Sequence, residues 1–278
     1  MSGSSTPLEL SPDAFTAMVG AAAEAVVEHL ASNEHKPVWR PAEPSEANHE
    51  PTVPEQGVSM ASVLTELFDE VLPRGLQTRS AGYMAYMPSG GLLSSAVADL
   101  IASSVNRYVG NWAASPGLVE LETRVIRWFA DMVGYPASSR GYLASGGSMA
   151  NFSAVLCARR FGAFRSMSRA RAYGSSVVHH SMQKALMMAG FSEESFVKVK
   201  SDARGEISMS ALRTQISKDR AAGFEPFMIL ATAGSTMTGS VDPLAALAEL
   251  AEDESLWLHV DAAYGGFFAL TESGRTTL

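Results

Sequence analysis

Cysteine is almost absent from this chain: Cys157 stands alone among 278 residues. One thiol cannot close an internal disulfide, so a reducing compartment, the cytoplasm, is the expected setting. Charge is sparse as well, at 18% of residues, and its balance is acidic, with a formal net charge of −8. That excludes general nucleic-acid binding, which relies on clustered Lys and Arg, and it argues against an anionic membrane surface. The arginines from Arg159 to Arg171 read as a solvated basic face. No basic segment followed by an apolar core opens the chain, and no apolar run approaches the ~18–20 residues that span a bilayer. His29, His35 and His49 lack metal-ligand spacing and thiolate company, so they are expected at the surface. Lysine is confined to positions 36, 184, 198, 200 and 218.

What is present is core-building material. Hydrophobic residues make up 46% of a length that suits one large or two ordinary domains. Ser11-Pro12-Asp13 is a helix start, with an N-cap, proline at the first helical position and an acid in the first turn. Phe15, Met18, Val19, Ala22, Val26 and Leu30 follow at helical spacing. Five prolines between Asn33 and Gly57 predict an extended connector, because proline lacks the amide hydrogen and fixes φ. A second helix is expected from Ser59 to Leu72, and amphipathic helices over Leu92–Val105 and Leu118–Met132.

Beyond residue 140 the pattern alternates short apolar runs with helical ones, as in an α/β protein with a mainly parallel sheet. Gly141–Ala144 reads as a strand, then Ser145-Gly146-Gly147-Ser148 and a helix from Met149 to Arg160. Further strands are expected over Ala172–Val178, Phe196–Lys200, Phe227–Thr232 and Leu256–Val260. The helices between them are Met182–Ala189, Ile207–Arg220 and a run capped by Asp242 with Pro243 at its first position. Two places carry chemistry. A Gly-rich turn feeding a helix exposes backbone amides at a positive dipole end, which suits a phosphate. The pattern is neither GxGxxG nor a P-loop, and alone it reads more readily as a plain turn than as a phosphate site. Asp261 closes the last strand, where open parallel sheets bind ligands. By itself it reads as a carboxylate for a cationic ligand group or as the cap of the turn that Gly265 and Gly266 complete.

His259-Val260-Asp261-Ala262-Ala263-Tyr264-Gly265-Gly266 resembles the signature of the group II pyridoxal-phosphate decarboxylases, among them aromatic-L-amino-acid, glutamate and diaminobutyrate decarboxylases. The likeness runs in family order through Tyr83–Pro88, Trp112–Pro116 with Glu120-Leu121-Glu122, Ser145–Ser148, His179-His180-Ser181 and Ala231–Thr236. It implies a type I aminotransferase-like fold with pyridoxal 5′-phosphate as cofactor. It implies that Asp261 partners the ring nitrogen, that Gly147 and Ser148 hold the phosphate, and that Thr236 contacts the cofactor. His179 and Ala263 would then lie on the two ring faces, with His179 and Asp261 as catalytic groups and Tyr86 and Ser89 at the substrate mouth. It also implies a homodimer whose N-terminal helices exchange, with residues 1–85 as a helical dimerisation segment and 86–278 as an incomplete cofactor domain.

The likeness has gaps. Arg79-Ser80-Ala81 stands where a His-Pro pair is common, and Tyr108, Gly110 and Asn111 precede Trp112 where aromatic-specific relatives carry bulky apolar residues. The amino-acid substrate therefore stays open. No lysine follows Asp261, so the expectation is a decarboxylase fragment, inactive alone, with its sheet and C-terminal domain incomplete. The alternatives are a non-catalytic dimerising remnant, or a related aldehyde synthase or lyase.

Overall fold

A computed structural model describes residues 9–41, 57–87, 90–162 and 164–278, which form two compact units, Met1–Ile101 and Ala102–Leu278. In the first unit, helix α1 (Pro12–Ser32) starts where the Ser11 hydroxyl accepts from Ala14 N at 3.2 Å. None of its residues is buried. It is 21 residues long with a mean hydropathy of 1.2, so length and composition alone would let it cross a membrane. Its hydropathy comes from seven alanines together with Val, Phe, Met and Leu, and Asp13, Glu24, Glu28 and His29 interrupt it, so it holds no unbroken apolar run. Glu24 and Glu28 lie one turn apart on it, and carboxylates at the centre of a spanning helix are costly.

A two-residue ribbon follows, β1 (Trp39–Arg40) pairing antiparallel with β2 (Gly75–Leu76). The rest of the proline-rich connector, 42–56, lies outside the described residues. Helix α2 (Met60–Thr65) is capped by Ser59 and passes into a π-helical turn over Glu66–Val71, so the expected second helix changes its hydrogen-bonding period half-way. The His29 ring meets Phe68 edge-on at 5.3 Å. Helix α3 (Leu93–Val105) spans the division between the units.

The second unit begins with α4 (Pro116–Met132) and α5 (Gly147–Phe161). It continues through β3 (Ala170–Ser175), α6 (Ser181–Met188), β4 (Phe196–Val199) and α7 (Met209–Ala221). After β5 (Glu225–Thr232), α8 (Leu244–Asp253) and β6 (Trp257–Asp261), a short α9 (Glu272–Thr277) ends it. The sheet order is β4-β3-β5-β6, and every pairing is parallel. Strand order reverses between β3 and β5, which creates a switch point at the carboxyl edge.

Both sheet faces are covered, which explains the near-continuous apolar runs in the sequence. Ala170, Ala172, Met228 and Leu230 pack with Val155 and Ala158 of α5 and Met182, Ala185 and Leu186 of α6. Tyr173, Val199, Ile229 and Ala231 pack on the opposite face with Leu212 and Ile216 of α7 and Leu247 and Leu250 of α8. Burying each of these large side chains stabilises the fold by about 1.5–3 kcal/mol relative to exposure.

Two local expectations are corrected. Gly141–Ala144 joins no strand among the described residues; the Leu143 amide donates instead to Glu122 Oε1 at 3.0 Å. Asp242 does not cap α8. Its carboxylate is 3% exposed and accepts from Ile207 N at 2.7 Å and from Thr232 N at 2.8 Å, so it ties the entry to α7 to the end of β5. Burial raises its pKa, against the two amide donors, which lower it.

Candidate active site

The carboxyl ends of β5 and β6 lie side by side, with Thr232 in register with Asp261 and Ala233 N donating to Asp261 O at 2.9 Å. The loops leaving them pack so tightly that a Cβ on Gly265 would overlap the Ala233 carbonyl oxygen. This close approach requires glycine at 265 and fixes the turn that carries Ala263. The Asp261 carboxylate is half-buried and has two described donors. Ala263 N reaches Oδ1 at 3.1 Å, and Asn151 Nδ2 reaches Oδ2 at 2.8 Å.

Asn151 belongs to the buried stripe of α5, with Val155 and Ala158 one and two turns on. Its amide is shared three ways. Nδ2 donates to Asp261 and, at 3.0 Å, to Ser181 Oγ, while Oδ1 lies 2.9 Å from His259 Nε2. Enclosure lowers the His259 pKa, with Asp261 pulling weakly the other way. A neutral ring must therefore carry its proton on Nε2 to donate to the amide oxygen. Ser181 in turn stands 2.7 Å from His179 Nδ1, and its own amide faces the same nitrogen at 3.4 Å. The result is a continuous polar chain from β6 through α5 to the start of α6.

Most of the expected site residues meet around this chain. Gly147 opens α5, and a Cβ there would sit 3.3 Å from the Ala263 Cβ, so the Gly-rich turn lies against the residue two beyond Asp261. The helix has no side-chain cap, which leaves the first amides, including those of Gly147 and Ser148, facing outward. His179 follows a turn closed by Val178 N to Ser175 O at 3.3 Å, because β3 stops earlier than expected. The His180 ring lies 4.2 Å from that of His179, whose proximity is the main cause of a lowered His180 pKa. Thr236 is exposed in the loop after β5, with no described contact to Asp261. Tyr86 belongs to the first unit, exposed and with φ of 57°. Ser89 lies outside the described residues.

Residues 43–276 match the pyridoxal-dependent decarboxylase conserved domain. The chain belongs to that family. It is 33% identical over 273 residues to the aromatic-L-amino-acid decarboxylase of Bacillus atrophaeus, covering 98% of this chain and 57% of that protein. The L-2,4-diaminobutyrate decarboxylase of Rhizobium meliloti is 32% identical over 218 residues, covering 77% of this chain and 43% of the relative. The fold matches the crystal structure of Oryza sativa TDC with PLP and tryptamine, at a TM-score of 0.88 and 25% identity, over 99% of this chain and 60% of that one. The chain thus spans about half the length of the curated relatives it matches.

The pyridoxal-dependent decarboxylases take pyridoxal phosphate, and the residues here fit it. The described donors to the Asp261 carboxyl group are uncharged, which leaves room for a cationic ring nitrogen as its charge partner. Free amides at the α5 N-terminus suit the phosphate. Ala263 and Gly147 leave room that a larger side chain at either position would fill. Thr232, in register with Asp261, keeps a buried hydroxyl with no partner among the described residues, as befits a site built for a polar guest. The sequence points to Asp261, Gly147, His179 and Ala263 but singles out no role for Asn151. Its signal was available: an amide inside an apolar helical stripe must find a buried partner.

Proposed function

We propose that the complete protein decarboxylates an L-amino acid to an amine with pyridoxal phosphate, and that Asp261 is the carboxylate at the ring nitrogen. The carrying observation is the place of Asp261: at the carboxyl edge of a parallel sheet, on a turn packed against the start of α5, held by neutral donors. Bound there, pyridoxal phosphate supplies an electron sink for the carbon that loses its carboxyl group. Asp261 holds a proton on the ring nitrogen by charge and keeps that sink effective. Gly147 and Ser148 would present amides to the phosphate, and Thr236 would hold the cofactor from the β5 loop. His179 would hold the ring and orient the amino acid, and the small Ala263 would leave room for it. Tyr86 and Ser89 are assigned to the substrate mouth from the sequence resemblance.

Catalysis needs a lysine to hold the cofactor, and all lysines among these 278 residues precede Asp261. We therefore assign turnover to the complete protein and expect these residues alone to be inactive. Borohydride reduction after incubation with pyridoxal phosphate checks this: no lysine should be labelled, and labelled Lys184 would contradict it. A homodimer is the expected assembly, since α1 buries none of its residues and exposes Phe15 and Val27. The lone Cys157 suits the cytoplasm. For the activity, Asp261→Ala in the complete protein should lower amine formation by about two orders of magnitude or more while some cofactor is retained. Near-wild-type turnover would contradict the assignment.

A further inference from the structure

We propose that Asn151 is a positioning residue that sets the proton arrangement of the site before any cofactor arrives. It holds Asp261 as a hydrogen-bond acceptor and, through Ser181, holds His179 with Nδ1 unprotonated and its proton on Nε2. The inference deepens the functional reading above and rests on it for its consequence, but its geometry belongs to the chain alone.

An asparagine amide has one acceptor end and two N–H donors. Both donors of Asn151 are committed, to Asp261 Oδ2 at 2.8 Å and Ser181 Oγ at 3.0 Å, and its oxygen faces His259 Nε2 at 2.9 Å. Turning the amide over would set its oxygen against a carboxylate oxygen and its N–H groups against the His259 N–H. The orientation therefore holds only while Asp261 accepts. Ser181 Oγ, already accepting from Asn151, has one proton to give, and His179 Nδ1 lies 2.7 Å away. The Ser181 backbone N–H points at the same nitrogen from 3.4 Å. Two donors converging on Nδ1 leave no place for a proton there. Asn151 and Ser181 are 3% and 4% exposed, so water does not compete for these bonds. His179 thus offers an Nε2–H donor, which suits recognition of an anionic substrate group, and both Asp261 oxygens act as acceptors.

The test is nitrogen-15 NMR of the histidine rings in the full chain without cofactor. Wild type should show His179 with an unprotonated-type Nδ1 and a protonated-type Nε2 signal; the reverse tautomer would overturn the proposal outright. Asn151→Asp replaces the donor to Ser181 with an acceptor. Ser181 should then give its proton to residue 151, and His179 Nδ1 should become protonated and donate to Ser181. Should that variant fail to fold, Ser181→Ala removes the hydroxyl donor without adding charge, and the His179 Nδ1 signal should shift toward that of an acceptor with one fewer hydrogen bond. An unchanged His179 spectrum in either folded variant would overturn the proposal. The cofactor reading is tested separately by adding pyridoxal phosphate. If the spectra behave as expected but nothing binds, the relay stands and the functional assignment fails.

Discussion

Asn151 Nδ2 donates to Asp261 Oδ2 at 2.8 Å across 110 positions of sequence. That bond joins the first turns of α5, where an anion is expected to bind, to the end of β6, where a cation is expected. Removing it should be felt in stability as well as chemistry. Asn151→Ala strands the buried His259 N–H and takes one donor from Asp261. A loss of about 1–3 kcal/mol is expected, read from the urea midpoint.

Stability should depend on pH through His259. Its folded pKa lies below the ordinary value of 6.5 because the ring is enclosed. Between that lowered value and 6.5 the unfolded chain binds the proton more readily than the folded one. Stability therefore rises with pH through this window and falls as pH drops from 6.5 toward the folded pKa. Urea unfolding on both sides of 6.5 should show the slope, and His259→Asn should flatten it.

Asp242 predicts a different failure. Its two oxygens each take one backbone amide, from Ile207 and Thr232. Asp242→Asn turns an NH2 group toward one of those donors and should cost about 1–3 kcal/mol, with cofactor affinity affected less than stability.

On the α7/α8 face, Leu247 is fully buried against β5 and β6. Leu247→Ala should lower stability by about 2–5 kcal/mol without changing the His179 ring signals. At the loop crossing, Gly265→Ala forces a Cβ into the Ala233 carbonyl. It should displace the Ala263 turn and weaken cofactor binding more than any other single methyl added near β6.

Much of this was legible in the sequence because the signals are local. Asp261 stands at the end of an apolar run, and Gly146-Gly147 stands just before a helical stripe; each identity follows from its own neighbourhood. Asp242-Pro243 misled for the same reason. An Asp-Pro pair before a helix reads as a cap, and only the folded chain shows its carboxylate reaching Ile207, 35 positions away. Gly141–Ala144 has strand composition, but its Leu143 amide is claimed by Glu122 from α4, a contact that no local pattern announces. Asn151 lay hidden because one polar residue in an apolar stripe says that a partner exists without saying which.

The most direct measurement uses pyridoxamine 5′-phosphate labelled with nitrogen-15 in the ring, a probe that needs no lysine. Bound to the full chain, at a pH where the free compound has lost its ring proton, it should give a protonated-nitrogen signal that disappears in Asp261→Ala. An unprotonated ring in the wild-type complex, a protonated signal that survives Asp261→Ala, or no binding at all would contradict the account.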